Sequence, residues 1–269
     1  MATKRSRGIF SWIASIVAIL VCIFMLTAIL SIVFGGAKSF FSNLREKEVR
    51  EALKLSIITS TISSVVVMLL AVIVAYAFTR TEMPFKGIME LLMELSMGLP
   101  YILLGLALLI IFSSPFGKWL KGYGIKVVFA PLGIIMAHIL VNLPYAVRLV
   151  RDCFREVDPR LEFIAGTLGA GEFRRFSTIL LPISIRGIIS ASILIWSRAM
   201  GEFGATLMLV GITRLKTETL PGNVYLNIST GNNEAAMATA TLMLLISALA
   251  MILSRIAERK SILPRRGNA

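Results

Sequence analysis

Apolar residues fall into six long blocks separated by short polar stretches, near 9–34, 52–79, 87–113, 127–150, 183–211 and 235–257. Each block exceeds the roughly 20 helical residues that cross a hydrocarbon layer of about 30 Å. The pattern predicts an all-α integral membrane protein, a bundle of six transmembrane helices. The third block is interrupted by Pro100 and carries Glu90 and Glu94 near its start, the fourth contains Pro131 and Pro144, and the fifth holds Arg198, Glu202 and several glycines. Proline inside a membrane helix kinks it and frees a carbonyl that a neighbouring helix or water must satisfy. Such helices belong in a bundle interior. The first block follows Lys4, Arg5 and Arg7. It is longer than the apolar core of about 7–15 residues in a secretory leader, so it reads as a retained membrane helix.

The longest polar connection runs from about residue 151 to 182, between the fourth and fifth blocks. Asp158 suits a helix N-cap and Pro159 the first helical position. Leu161, Ile164, Ala165 and Leu168 then recur at helical spacing, and Gly169 sits where a helix stops in a left-handed cap. The predicted helix is amphipathic and lies outside the bilayer. At about ten residues it is too short to persist alone in water. Its apolar face needs a surface, which the same chain, the membrane interface or another protein could supply.

Composition agrees with the block pattern. The chain is 57% hydrophobic and 16% charged, against about 45–50% and 25% in soluble domains, and its mean hydropathy is +0.83. A net charge of +13 would point to nucleic acid in a soluble protein. Here the basic residues sit in short loops and tails, where they set topology, and no nucleic-acid partner is expected. With the N-terminus cytoplasmic, 17 Lys and Arg residues fall inside and 9 outside. That asymmetry predicts both termini, and the 151–182 connection, on the cytoplasmic side. Cys22 and Cys153 lack metal-ligand spacing, and the lone His138 has no companion ligands. No phosphate loop of the form G-x-x-x-x-G-K-[ST] occurs. No nucleophile–base pair or cofactor motif is present either, so an enzyme is the least supported class.

Polar groups within the blocks mark a candidate pathway. Arg198 lies 16 residues after Pro182, near mid-membrane, and Glu202 follows four residues later on the same helical face. A lone charge at that depth costs about 2.5–3.5 kcal/mol or more, so the two either neutralise one another or line a water-filled path or gate. His138 and Asn142 share a face of the fourth helix in the same way. Ser56, Thr59, Ser60, Thr61, Ser63 and Ser64 on the second helix either let helices pack closely and bond across or offer weak donors to a tetrahedral anion. Trp196, Thr206 and Met208 read as packing residues.

The cytoplasmic connection resembles the EAA loop of ABC-importer permeases. Gly169, Ile179, Leu181 and Pro182 keep that loop's spacing, and Ala165, Ala170 and Phe176 also stand where its pattern places them. The departure is at the start, where Phe163 and Ile164 replace the pattern's glutamate and first alanine and Glu162 stands one residue earlier. A second stretch, from Trp196 through Arg198, Glu202, Phe203, Gly204 and Ala205 to Met208, is similar to permeases that import molybdate, tungstate or sulfate. The segment 219–231 resembles the last external loop of the molybdate and tungstate members in particular.

The resemblance covers roughly residues 52–257 and implies a permease domain there. It is preceded by a tail, first helix and external loop at 1–51 and followed by a basic tail at 258–269. It also implies that the helix within 158–182 is a coupling helix on which a separate ATPase docks, with Asp158, Leu161, Glu162, Ile164, Ala165, Leu168, Gly169, Ala170 and Pro182 as the coupling set. Arg198, Glu202, His138, Asn142 and Ser60 form the candidate pathway or gate. The implied assembly is two copies of this chain, two ATPase copies that bind ATP and magnesium, and an external oxyanion-binding protein, all at the lipid bilayer of the cell membrane. This chain itself needs no cofactor in such an assembly. Two other classes are a secondary transporter driven by an ion gradient, although no inverted repeat is visible, and a membrane scaffold, which has no need of a docking loop.

Overall fold

The computed structural model describes residues 9–259, of which 257–259 by backbone alone. The basic residues of the N-terminal tail and the C-terminal tail beyond Arg259 lie outside the described residues. The described chain is helical and connected by turns. Helix α1 spans Ile9–Ala37, α2 Phe40–Asn43, α3 Lys47–Arg80, α4 Lys86–Gly98, α5 Tyr101–Ser113, α6 Pro115–Gly122 and α7 Pro131–Arg155. After these come α8 (Pro159–Thr167), α9 (Glu172–Arg175), a π-helical turn at Phe176–Leu180, α10 (Leu181–Met200), α11 (Gly204–Val210), α12 (Leu220–Ser229) and α13 (Asn233–Arg259). Among the described residues, five helices are long and apolar enough to cross a membrane, or six if a bent pair counts as one span.

The bent pair is the third predicted block, and the interruption at Pro100 is where it bends. Helices α4 and α5 meet at 113°. Proline forces the preceding residue out of helical conformation. Leu99 is accordingly extended (ψ 142°), and Pro100 lacks the N–H that would continue α4. The fourth block differs more mildly. Pro131 opens α7, where its missing N–H costs nothing, and Val127 to Ala130 precede the helix. Only Pro144 lies inside α7, where it is buried. The fifth block does not run through to 211. It stops at Met200, turns, and restarts as the short α11.

Helix α7 is the axis of the bundle. On the half nearer its C-terminus, Ala146, Val147, Val150 and Phe154 pack with Val67, Ala71, Ala75 and Phe78 of α3 and Ile188, Ala191 and Ile195 of α10. On its other half, Ile134, Ala137 and Val141 pack with Leu104 and Leu108 of α5 and Ala205 and Leu209 of α11. Small residues set the spacing. A Cβ on Gly105 would lie 2.5 Å from the Ala205 carbonyl, so that glycine permits the close crossing of α5 and α11. Helix α1 is exposed along most of its length and meets α13 at its C-terminal end, where Gly36 lies against Met237 and Thr241.

Candidate functional site

Two places gather the candidate residues: the α8–α9 connection at one end of the bundle, and the junction of α5, α7, α10 and α11 within it.

At the connection, the Asp158 carboxylate accepts from the Arg160 N–H at 2.9 Å and Pro159 begins α8, as the capping pattern predicts. Helix α8 ends in a left-handed turn, with Gly169 at φ +84°, its N–H donating to the Gly166 carbonyl and the Ala170 N–H reaching back to the Ala165 carbonyl at 2.9 Å. This is the glycine-terminated stop that lets the last carbonyls of a helix be satisfied. Pro182 stands in the first turn of α10.

The orientation of α8 divides the set read from the sequence between two faces. Ala165 is half-buried beside Gly166, and the inward side is completed by Glu162, which is buried. Leu161, Ile164 and Leu168 are 45%, 55% and 83% exposed, and the neighbouring Phe163 is also exposed. The apolar strip therefore points away from the bundle, while the acid points into it. Glu162 Oε1 receives Arg80 Nε at 2.7 Å, and the same guanidinium donates through Nη2 to the carbonyls of Phe154 and Val157 at 3.0 and 3.3 Å. One turn earlier on α3, the Tyr76 hydroxyl donates to Glu172 Oε1 at 2.9 Å. Neither Arg80 nor Tyr76 belongs to the set read from the sequence. The signal available was an arginine closing a long apolar block, with a tyrosine four residues before it.

Inside the bundle, Arg198 and Glu202 form no ion pair with each other among the described residues. Helix α10 ends at Met200, so the four-residue spacing does not place them on one face. Arg198 turns toward α7 and α5. Its Nε donates to Asn142 Oδ1 at 3.3 Å, its Nη2 donates to the Tyr101 hydroxyl, and its guanidinium lies 4.6 Å from the Tyr145 ring centre. Glu202 is buried and caps α11. Its carboxylate accepts from the Ala205 N–H at 2.8 Å, the Thr206 N–H at 3.1 Å and the Thr206 hydroxyl. These are N–H groups that the first turn of a helix leaves unpaired, and a carboxylate there also meets the positive end of the helix dipole.

His138 and Asn142 are buried on α7. The Asn142 amide donates to the His138 carbonyl at 2.9 Å, and His138 Nδ1 lies 3.3 Å from the Ser63 hydroxyl. The α3 hydroxyls divide in use. Ser56 accepts from the Leu220 N–H at 2.8 Å, Thr59 bonds back to Leu55, and Thr61 accepts from the Trp196 indole. The hydroxyls of Ser60 and Ser64 and His138 Nε2 are buried with no hydrogen-bond partner among the described residues. The structure thus links Arg198, Asn142, His138 and Ser63 in one polar line and sets Glu202 apart from it. Tyr101 and Tyr145 were not singled out from the sequence, although Tyr101 directly follows the Pro100 break.

The fold is shared with chains of ABC transporters of known structure. The crystal structure of a bacterial alginate ABC transporter in complex with an alginate pentasaccharide-bound periplasmic protein contains a chain that aligns over 93% of this one and 94% of its own length, with a TM-score of 0.72 at 12% identity. A chain of the inward-facing MetNI methionine ABC transporter aligns over 80% of this one and 95% of its own, with a TM-score of 0.60. At the level of sequence, residues 67–262 match the family model for the binding-protein-dependent transport system inner membrane component, and the chain belongs to that family. It is accordingly an inner-membrane transport subunit rather than a catalyst. Its relatives include the molybdenum transport permease ModB of Escherichia coli, 33% identical over 77% of this chain and 91% of that one. The sulfate transport permease CysT of the same organism is 28% identical over 85% of both.

Proposed function

We propose that the chain is the permease of an ATP-driven oxyanion importer, with molybdate or tungstate as cargo. The observation that carries this reading is the outward face of α8. Leu161, Ile164 and Leu168 form an exposed apolar strip on a helix fastened to the bundle from its other side. Apolar surface so presented is stabilised by being covered, and the helix sits in the connection that resembles the ATPase-docking loop. Asp158, Gly169, Ala170 and Pro182 shape the helix and its turn. Leu161, Ile164, Leu168 and Phe163 supply the contact, and Glu162 and Ala165 face the bundle.

In the working assembly, two copies of the chain meet two ATPase subunits on the cytoplasmic side, where both termini lie. ATP and magnesium belong to the ATPase. A binding protein delivers the anion to the external face, and closure of the ATPase pair shifts the bundle between its two access states through differential contacts in each. The permease domain comprises residues 52–257. Arg198, Asn142, His138 and Ser60 line the route or its gate, and Glu202 holds the turn that shapes it. Sulfate is the second reading, supported by the sulfate permease relative.

The test is co-purification and uptake. Leu168→Glu places a charge on the outward strip without altering the bundle. It is expected to remove the ATPase from the purified complex while the chain still inserts in the membrane. An ATPase that stays bound at full stoichiometry overturns the docking reading. Uptake of radiolabelled molybdate and sulfate into proteoliposomes, with and without ATP, decides cargo and energy source. Uptake driven equally well by an ion gradient without ATP overturns the importer class.

A further inference from the structure

The last two turns of α3 carry two polar side chains on one face, Tyr76 and Arg80, four residues apart. Both reach across to the α8–α9 connection, Tyr76 to Glu172 on α9 and Arg80 to Glu162 on α8. Beside them lies an open cleft of about 650 Å³, bounded by Tyr76, Arg80, Glu162, Phe163, Glu172 and Arg175. The Tyr76 ring also meets the Phe176 ring edge-on, with centres 5.1 Å apart, so this contact and the two side-chain bonds hold the connection to α3 around the cleft. The Arg80 guanidinium also takes the carbonyls of Phe154 and Val157 at the end of α7. Its fork of donors, fixed in one plane, thus joins three elements: the end of α3, the end of α7 and the middle of α8.

Along the chain, α8 is joined to α7 on one side and, through α9 and the π-helical turn, to α10 on the other. Covalent connection alone would pass a displacement of α8 to those two helices. Helix α3 is remote in sequence, Arg80 and Glu162 being 82 residues apart, yet it is held to α8 by charge-assisted bonding, which is short, directional and stronger than a neutral hydrogen bond. We propose that Arg80 and Tyr76 are positioning residues for transport, the struts through which a movement of the α8–α9 connection enters α3. Arg80 with Glu162 bears the larger share. The inference rests on the reading of α8 as the ATPase-docking helix. It adds that the docked helix drives α3 directly, together with the end of α7. Helix α3 carries the hydroxyl-bearing face that meets His138, so the struts connect the docking loop to the polar line inside the bundle.

The test uses the complete transporter, this chain with its ATPase and binding protein, in proteoliposomes. It reads molybdate taken up per ATP hydrolysed. The variants are Arg80→Ala, Glu162→Ala, the double variant, Arg80→Lys and Tyr76→Phe. None touches the outward strip of α8, so the ATPase is expected to remain bound and to hydrolyse ATP near the wild-type rate. Uptake per ATP is expected to fall about tenfold in Arg80→Ala and by a smaller factor in Glu162→Ala, within the range of about 2- to 30-fold expected when a coupling element is altered. The double variant is expected to be no worse than Arg80→Ala, because both single changes remove the same bond. Arg80→Lys, which keeps the charge but not the fork, falls between wild type and Arg80→Ala, and Tyr76→Phe loses about twofold.

Wild-type uptake per ATP in both single alanine variants overturns the inference, and so do losses that multiply in the double variant. Uptake and hydrolysis falling in parallel overturns it as well, since that marks damage to the fold rather than to coupling. A wild-type chain that binds no ATPase sinks the docking reading itself, an outcome distinct from all of these.

Discussion

At the loop end of α3, Arg80 and Glu162 meet at 2.7 Å although 82 residues separate them. Within the bundle, Arg198 and Glu202 are four residues apart and bond to different partners. The contrast comes from what the backbone needs at each place. Where α7 ends, the carbonyls of Phe154 and, just beyond the helix, Val157 accept from Arg80, which serves them and Glu162 together. Where α10 ends and α11 begins, the unpaired groups are N–H donors, and a carboxylate is the side chain that serves them. Glu202 is taken by that task, and Arg198 is left to the aromatic rings and the Asn142 amide. Helix ends decide the pairing in both regions, and sequence proximity does not.

The sharpest way to break this contrast is to empty the bundle turn. Glu202→Ala leaves three buried donors, on Ala205 and Thr206, without their acceptor. Unsatisfied buried groups cost about 1–3 kcal/mol each, reduced where the turn relaxes, so a loss of about 3 kcal/mol is expected. Thermal unfolding of the detergent-solubilised protein measures it. Glu202→Gln keeps one acceptor oxygen and is expected to lose markedly less. An unchanged midpoint in Glu202→Ala means that the carboxylate does not cap α11.

Arg198→Ala should act differently. It removes a cation from the face of Tyr145 and a donor to Asn142 and Tyr101, with an expected cost of about 1 kcal/mol. Its main effect is expected in uptake rather than in stability. Were the two residues an ion pair after all, the two alanine variants would show similar midpoints and the double variant would add nothing. Additive losses are expected instead, because their partners are distinct.

Much of this architecture is legible in the chain, for reasons that differ from element to element. The apolar blocks mark α1, α3, α7 and α13 because a membrane demands continuous apolar length. Asp158, Pro159 and Gly169 mark α8 because capping is local chemistry. The breaks were harder to read. Pro100 was visible as an interruption, but a 113° bend depends on what α5 packs against, and that packing is with α11, about a hundred residues away. The end of α10 carries no proline. It is set by Gly201, Glu202 and the caps they make, so a helical wheel drawn through Arg198 and Glu202 assumed a helix that had already stopped. Which face of α8 meets the bundle was left open by the sequence for a similar reason. Leu161, Ile164, Ala165 and Leu168 share a side by periodicity, yet which side meets the bundle is decided by Arg80, which lies on another helix and leaves no mark within 158–171.

The smallest expected effect concerns the turn that ends α8, the counterpart of the Glu202 turn in the bundle. One turn is held by a side chain and the other by a backbone conformation. Gly169 adopts φ +84°, and a Cβ built there meets nothing within 4 Å. Gly169→Ala therefore has room for its methyl group but not the conformational freedom, and the left-handed region costs an alanine about 1 kcal/mol. Gly171, two residues on, is also open to a Cβ, but its φ is −65°, so Gly171→Ala is expected to cost close to nothing. Hydrogen exchange at the α8 amides separates them, with faster exchange in Gly169→Ala and wild-type exchange in Gly171→Ala. Equal exchange in the two variants would mean that α8 is held in place by Arg80 and Glu162 alone, and the Gly169 turn would then have no part in presenting the outward strip.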